Sequence, residues 1–470
     1  MKDITMTSIA ELSSLIKNKK ISPVEVVDES LKRTNFLQDK LNAYITFLAD
    51  EARATAKIAE QEIMKDGPKS PLHGIPIALK DLFYTKGILT SAGSQLLANF
   101  KPDYDATITE RLRNSGAILM GKTNLHEWAH GPTNEDSYYG PTRNPWDTSR
   151  ITGGSSGGSA VAVATGMAYM AMGTDTGGSI RIPSALCGTV GFKPTFGLAS
   201  LYGIIPLSLT LDHPGPLTRS VIDAAITMDM ITGYDAKDPF RTKYKGKNTN
   251  FAKALKSVDK LDGMTIGIPS NFYFDKVDYE VENLVKNAIS ALEQLGATVK
   301  YIEIPYLDIV PSISTIIMCA ESAFIHKDRL IAHPDGYKPD VKARLEQGKN
   351  YFAIDYISAL QDRERVINAW NEALSQVDAV VTPTLPITAF KIGSISVSTR
   401  GKEEPAREMC IRHTRFANTT GCPALTVPCG LTPEGLPAGI MIMGHTHDDL
   451  TVLKIGYAYE KKNPYIFKQF

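Results

Sequence analysis

Cysteine is scarce in this sequence and follows no pairing pattern. The 470 residues include five cysteines, and none of them form a CxxC motif. An odd number of widely spaced cysteines argues against a disulfide framework and against a zinc site built from thiolates. We therefore expect a protein of a reducing compartment, which predicts a cytoplasmic location.

The chain also lacks a net charge. It has 51 lysines and arginines against 51 aspartates and glutamates, so its formal charge is zero. Such a chain has no overall positive field that would attract nucleic acid or an anionic membrane surface. We expect it to bind neither of these partners directly.

Long apolar runs are absent as well. The most apolar stretch, from Ala160 to Met172, is interrupted by Gly166 and is shorter than the roughly 18 residues that span a bilayer. We interpret it as a buried helix. The first residues, MKDITMTSIAELSS, do not resemble a signal peptide, because no apolar run follows a basic region.

The residues that are present indicate a sheet covered by helices. The composition, 43% hydrophobic and 22% charged, is that of an ordinary globular protein. Residues 8–64 have apolar positions at helical spacing, and Ser22-Pro23 is typical of a helix start. After Leu72, short apolar runs bounded by glycine and proline alternate with helical patterns such as 278–295. We interpret the lysine-rich stretch 233–262 as a surface excursion within one domain.

The sequence GAILMGKT at 116–123 matches the pattern of a phosphate-binding loop. Such a loop requires a strand before its first glycine, whereas residues 108–114 predict a helix. The apolar residues 117–120 predict a strand between the two glycines. We therefore interpret the motif as a helix end followed by a buried strand.

The sequence HEWAH at 126–130 matches the H-E-x-x-H motif of zinc peptidases. A zinc peptidase would also need a third ligand. No histidine follows until His213, and the residues after the motif cannot continue a long helix. We expect a short packed helix and no metal, which leaves a zinc peptidase as a distant alternative.

Two glycine-rich stretches have the composition of a hydrolase site. In GGSSGGS, at 153–159, Ser155 and Ser156 each fit the G-x-S-x-G pattern of a nucleophile, although a flexible linker has the same composition. In the second stretch, at 173–188, the turn that ends at Ser179 has successive N–H groups that can converge on an oxyanion. A glycine turn that caps a helix is the alternative for this second stretch.

These two stretches resemble the amidase signature family of serine hydrolases. The resemblance extends through LHGIPIALKD, LDHPGPLTRSV and PALTVPCG and covers about residues 5–460. It implies an α/β fold, a single α/β/α domain over 1–470 whose mixed, twisted central sheet is covered by helices. The expected parts are a helical region at about 5–64, a signature core at about 70–225 and a variable, substrate-side region at about 263–465.

The resemblance implies a Ser-Ser-Lys triad without metal or cofactor. Lys80 matches the family's base, Ser155 its bridging serine, which follows a cis peptide bond, and Ser179 its nucleophile. A lysine accepts a proton only when neutral, so burial must lower its pKa from about 10.4. The implied oxyanion-hole residues are Thr176, Gly177, Gly178 and Ser179. The implied supporting residues are Asp175, Arg181 and Ser156.

The implied activity is hydrolysis of a small-molecule amide to a carboxylate and ammonia or an amine through an acyl-enzyme. The family also includes the glutaminase subunit of tRNA-dependent amidotransferases, and this alternative stays open. Residues 340–421, where glutamine-binding groups would be expected, do not obviously match that subunit. A non-catalytic binding protein on the same fold is a further alternative, and a homo-oligomer stays open.

Overall fold

An eleven-stranded mixed sheet forms the centre of the fold, as the resemblance predicts. The computed structural model describes residues 3–238 and 250–465. The strands of this part are β1 (Tyr44–Phe47), β2 (Pro76–Lys80), β3 (Ile118–Thr123), β4 (Met170–Asp175), β5 (Val190–Lys193), β6 (His213–Thr218), β7 (Thr265–Pro269), β8 (Thr298–Ile302), β9 (Ala379–Pro383), β10 (Ser396–Thr399), β11 (Lys402–Pro405), β12 (Ala424–Leu431) and β13 (Pro437–Gly444). The large sheet has the order β1-β3-β2-β4-β6-β5-β12-β13-β9-β7-β8, and β10 pairs with β11 in a separate small sheet.

Helices cover both faces of the large sheet. Alternate residues of β2 belong to different buried clusters, with Ile77 and Leu79 in one and Ala78 in the other. This period of two is expected of a strand that is buried on both faces. The α-helices are α1 (Ile9–Lys17), α2 (Pro23–Leu41), α3 (Ala49–Asp66), α4 (Thr107–Asn114), α5 (Gly157–Ala164), α6 (Arg181–Cys187), α7 (Val221–Ile231), α8 (Phe251–Leu255), α9 (Tyr279–Gln294), α10 (Val310–Ala332), α11 (Pro339–Lys349), α12 (Ala353–Leu374), α13 (Ala406–Ile411), α14 (Arg415–Thr420) and α15 (Asp449–Lys462).

The N-terminal region is mainly helical, as its periodicity predicts. Ser22 caps α2 by accepting hydrogen bonds from the N–H groups of Val24 and Glu25, and the Glu25 carboxylate accepts from the Ser22 N–H. This reciprocal capping box confirms the predicted helix start. Strand β1 was not predicted, because its four residues form a strand only by pairing with β3.

The prediction of one buried helix from Ala160 to Met172 is wrong. Helix α5 ends at Ala164, and β4 begins at Met170. Gly166 separates them with a φ of 74°, and a side chain there would meet Thr5. A uniformly apolar run does not distinguish a buried helix from a buried strand. The sheet decides the outcome here, since β4 pairs with both β2 and β6.

The predicted surface excursion at 233–262 lies partly outside the described residues, which omit 239–249. Ile231, just before this stretch, and Leu255, within it, belong to the same buried cluster. Over residues 3–238 and 250–465, no helix has both the length and the apolar character needed to cross a membrane.

The topology brings two predicted site segments together. Strands β2 and β4 are parallel neighbours, with Leu79 opposite Met172. Their carboxyl ends, Lys80 and Asp175, therefore lie at the same edge of the sheet. This edge is where α/β sheets commonly place their ligands.

Candidate active site

Lys80 is fully buried at the end of β2. Its Nζ lies 2.7 Å from Ser155 Oγ and 2.8 Å from Thr174 Oγ1. Burial lowers the pKa of Lys80 to about 7, although the negative charges of Asp212 and Asp175 act in the opposite direction. A substantial fraction of this lysine is therefore neutral near pH 7 and able to accept a proton.

Ser155 precedes helix α5, and the Gly154-Ser155 peptide bond is cis, as the resemblance predicts. The Ser155 carbonyl oxygen accepts a hydrogen bond from the His126 N–H at 3.2 Å. The next residue, Ser156, donates its N–H to the Ser179 carbonyl oxygen at 3.2 Å. Its hydroxyl donates to the Thr174 carbonyl oxygen. The two predicted catalytic serines therefore lie on segments that are joined directly.

Close packing explains the glycines around Ser155. A side chain at Gly154 would come within 2.9 Å of the Gly131 carbonyl oxygen, and one at Gly158 within 2.5 Å of the Asn124 carbonyl oxygen. Both distances are far shorter than an ordinary van der Waals contact. The segment is thus a tightly packed part of the core, which excludes the flexible-linker interpretation.

Asp175 shapes the turn that carries Ser179. Its carboxylate accepts hydrogen bonds from the N–H groups of Gly178 at 2.9 Å and Ile180 at 3.1 Å. It also accepts two hydrogen bonds from the buried Arg181 guanidinium, at 2.8 and 3.0 Å. Burial alone would raise the pKa of Asp175, but the Arg181 cation holds it well below its usual range. Asp175 is therefore a charged anchor for the turn.

The Ser179 side chain stands at the end of this turn and is 7% exposed. Among the described residues, its hydroxyl has no hydrogen-bond partner, and neither do the N–H groups of Gly177 and Ser179. Gly178 has a φ of 130°, and a side chain there would meet Thr414 Oγ1 at 2.2 Å. The turn thus presents a hydroxyl and two free N–H donors on a fixed backbone.

Three residues that the sequence interpretation missed hold the turn from outside. Asp212 accepts a hydrogen bond from the Thr176 hydroxyl, and burial raises the pKa of Asp212 to about 6. Asn418 donates to the Asp175 carboxylate at 2.8 Å, and Thr414 donates to the Gly177 carbonyl oxygen. Asp212 lies in LDHPGPLTRSV, which contributes to the family resemblance, but no pattern in the sequence pairs it with Thr176.

A narrow cavity opens beside Ser179. Its wall includes Thr176 and Gly177 from the turn and His130 from the HEWAH segment. Two arginines, Arg407 and Arg415, also line it. The cavity therefore joins the predicted nucleophile to side chains from the C-terminal half of the chain.

The GAILMGKT segment is a helix end followed by a strand, which confirms its interpretation. Strand β3 covers residues 118–123, and the lysine of the motif, Lys122, is fully buried within it. Its Nζ pairs with the Asp81 carboxylate at 3.1 Å and donates to the Phe83 carbonyl oxygen at 2.8 Å. Since protein groups occupy its hydrogen bonds, this lysine is not placed to bind a phosphate.

The HEWAH segment forms one turn of 3-10 helix over Glu127–Ala129, which confirms a short packed helix. The Glu127 carboxylate accepts hydrogen bonds from the Ser94 hydroxyl and the Lys338 N–H, both at 2.7 Å. No group of three possible metal ligands among the described residues contains both His126 and His130. His126 lies 3.6 Å from Asp340, a carboxylate that arginines already neutralise.

Comparisons with known proteins identify the family of this chain. The family model described as Amidase matches residues 25–453. A glutamyl-tRNA(Gln) amidotransferase subunit of Sulfurihydrogenibium sp. is 37% identical over 485 residues, which cover 97% of each chain. The peptide amidase of Stenotrophomonas maltophilia has a similar structure, with a TM-score of 0.86, 31% identity and coverage of 98% of this chain and 99% of that chain.

A second similar structure comes from a vestigial protein complex that reveals the evolutionary origins of an s-triazine catabolic enzyme. Its TM-score is 0.93 at 30% identity, and the match covers 98% of this chain and 100% of that one. The proteins similar to this chain thus include a peptide amidase, an amidotransferase subunit and a chain from a complex.

Proposed function

The chain belongs to the amidase signature family of enzymes that hydrolyse amide C–N bonds, and we propose that Lys80, Ser155 and Ser179 are its catalytic triad. One observation carries this proposal. Lys80 Nζ lies 2.7 Å from Ser155 Oγ in a buried site where its pKa falls to about 7. A buried lysine poised near neutral pH beside a serine hydroxyl is suited to general-base catalysis.

In the first half-reaction, Ser179 Oγ attacks the amide carbonyl carbon. Its proton passes to Ser155 Oγ, and the Ser155 proton passes to Lys80 Nζ. The tetrahedral intermediate that forms carries a negative oxygen. The free N–H groups of Gly177 and Ser179 are the proposed donors to it, and one such donor contributes about 2.7–4 kcal/mol.

The set of proposed oxyanion donors is smaller than the one that the sequence implies. The Gly178 N–H is already donated to Asp175, so its role is to shape the turn. Asp212 holds Thr176 through its hydroxyl. The Thr176 N–H also has no hydrogen-bond partner among the described residues, so it is a third proposed donor.

Collapse of the intermediate breaks the C–N bond. The Lys80 proton returns through Ser155 to the departing nitrogen, which leaves as ammonia or an amine, and the acyl group stays on Ser179 Oγ. Water then attacks this ester with the same two residues as proton carriers. The products are the free Ser179 hydroxyl and the carboxylic acid, which releases its proton to solvent and becomes the carboxylate. Each turnover thus consumes one water and returns the site to its starting state.

Ammonia release by the purified chain tests the proposed function. The panel contains aliphatic, aromatic and peptide amides and glutamine, and matching esters check for acyl transfer. Wild-type turnover that is lost in Ser179→Ala supports an amidase. Undiminished turnover in Ser179→Ala would contradict the proposed nucleophile.

A second candidate is the glutaminase subunit of a tRNA-dependent amidotransferase. The amidotransferase subunit of Sulfurihydrogenibium sp., which matches this chain along nearly its whole length, favours it. A free-standing amidase turns over small amides alone, whereas a glutaminase subunit prefers glutamine and depends on its partner. Comparing glutamine with small amides, with and without the other amidotransferase subunits, separates the two.

A further inference from the structure

The cavity beside Ser179 has an unusual charge. Of the described residues that line it, the charged ones are Arg407 and Arg415, and no carboxylate faces it. The remaining polar lining is neutral and includes His130 and Ser314. A ligand next to the nucleophile therefore meets two cations and no anion.

The carboxylates that pair with these arginines do not balance their charge. Arg407 pairs with Asp340 at 2.9 Å, but Arg344 pairs with the same carboxylate. Arg415 pairs with Glu408 at 3.1 Å. The Glu408 side chain is 53% exposed, so water screens that pair. Three guanidinium groups thus share two carboxylates around a largely buried space.

Arg407 has an unused hydrogen-bonding edge. Its Nη1 donates to Asp340, whereas its Nε and Nη2 have no hydrogen-bond partner among the described residues. The Nε–Nη2 edge of a guanidinium is the planar fork that binds both oxygens of a carboxylate. The arginine is thus held on one side and free to bind an anion on the other.

His130 is a second, independent indication of a ligand. It is 1% exposed, and neither ring nitrogen has a hydrogen-bond partner among the described residues. Burial first, and then the Arg344 and Arg407 cations, hold the pKa of His130 well below its ordinary value. The ring is therefore neutral. A buried imidazole without a partner costs free energy unless a bound molecule satisfies it.

We infer that this cavity is a carboxylate subsite and that the enzyme prefers amides that carry a carboxylate near the scissile carbonyl. Arg407 and Arg415 bind that carboxylate, and His130 forms a hydrogen bond to an uncharged polar group of the same substrate. The inference rests on the proposed role of Ser179 as nucleophile, because the subsite is defined by its position beside that residue. It makes Arg407 and Arg415 specificity-determining residues.

Matched pairs of amides test this inference. Ammonia release is measured for succinamate, glutaramate and adipamate and for butanamide, pentanamide and hexanamide, in which a methyl group replaces the carboxylate. We expect kcat/KM to be at least about tenfold higher for one or more of the acids, as hydrogen bonds to a charged group imply. Equal rates for the acid and neutral members of every pair would overturn the subsite while leaving the proposed triad intact.

Variants then assign the preference to the arginines. Arg407→Gln and Arg415→Gln are each expected to lower the ratio of acid to neutral kcat/KM by at least about tenfold. Arg407→Lys keeps the charge but loses the planar fork, so it should lower this ratio less than Arg407→Gln does. Arg412→Gln is the matched control, because Arg412 stacks on Phe272 and does not line the cavity. An unchanged ratio in both glutamine variants would contradict the assignment.

A protection assay gives a readout that does not depend on turnover. Glutarate is expected to slow the labelling of Ser179 by a fluorophosphonate more than pentanoate does. In Arg407→Gln, the two acids are expected to slow the labelling equally. Thermal unfolding of each variant checks that it is folded. Equal protection by the two acids would overturn the subsite, whereas a Ser179 that does not label at all would contradict the proposed function itself.

Discussion

The backbone N–H of Ser156 donates to the carbonyl oxygen of Ser179 at 3.2 Å. This hydrogen bond joins the segment of the bridging serine to the turn of the nucleophile. Because Lys80 Nζ contacts Ser155 Oγ, the three proposed catalytic residues lie on buried segments that hydrogen bonds join to one another. The functional consequences of this arrangement can be measured.

The first prediction concerns pH. Since burial lowers the pKa of Lys80 to about 7 and only the neutral amine accepts a proton, the deprotonated form is active. We expect kcat/KM to rise about tenfold per pH unit below this pKa and to level off above it. A profile of kcat/KM that falls through the same range would contradict the assignment of the base.

Substitution of Lys80 gives the second prediction. Lys80→Ala is expected to lose most of the activity, and Lys80→Arg is expected not to restore it, because a guanidinium stays charged. The comparison is made by ammonia release on folded protein. Lys122→Arg is a useful control, since Lys122 is equally buried but pairs with Asp81 instead of Ser155. Near-normal turnover of Lys80→Arg would show that Lys80 is not the base.

Asp212 gives a third prediction. Its negative charge raises the pKa of Lys80 against the effect of burial. Asp212→Asn removes that charge while keeping an oxygen that can accept from the Thr176 hydroxyl. We expect the midpoint of the pH–rate profile to move to lower pH. Asp223→Asn, a change at a buried aspartate that accepts from the Ala10 N–H, should leave the midpoint in place.

The family resemblance in the sequence predicts the proposed catalytic residues and their neighbours Asp175 and Arg181, but not the supports that come from distant segments. Each of Lys80, Ser155 and Ser179 lies in a short glycine-rich or apolar motif, and each motif is contained in a single segment of the sequence. Asn418, by contrast, accepts from Arg181 across 237 positions of the chain, and only folding brings them together. The prediction of one helix from 160 to 172 was wrong for a related reason. Its division into α5 and β4 depends on the neighbouring strands and not on its own pattern.

The fourth prediction concerns metal. We expect chelators such as EDTA to leave turnover unchanged, because the proposed reaction uses only the two serines and the lysine. His126, Asp136 and Asp340 form the one group among the described residues that could hold an ion. Asp340, however, pairs with Arg344 and Arg407. Inactivation by a chelator, with recovery on adding zinc, would overturn this prediction.

Mapping of a covalent label tests the central claim most directly. A fluorophosphonate reacts with an activated serine, and peptide mass spectrometry identifies the modified residue. We predict one adduct on Ser179, absent in Ser179→Ala and slower to form in Ser155→Ala, where the nucleophile remains but the proton relay is broken. Ser159→Ala, which removes a buried hydroxyl bonded to the Met172 carbonyl oxygen, should still label. An adduct on Ser155 or Ser156 would contradict the account.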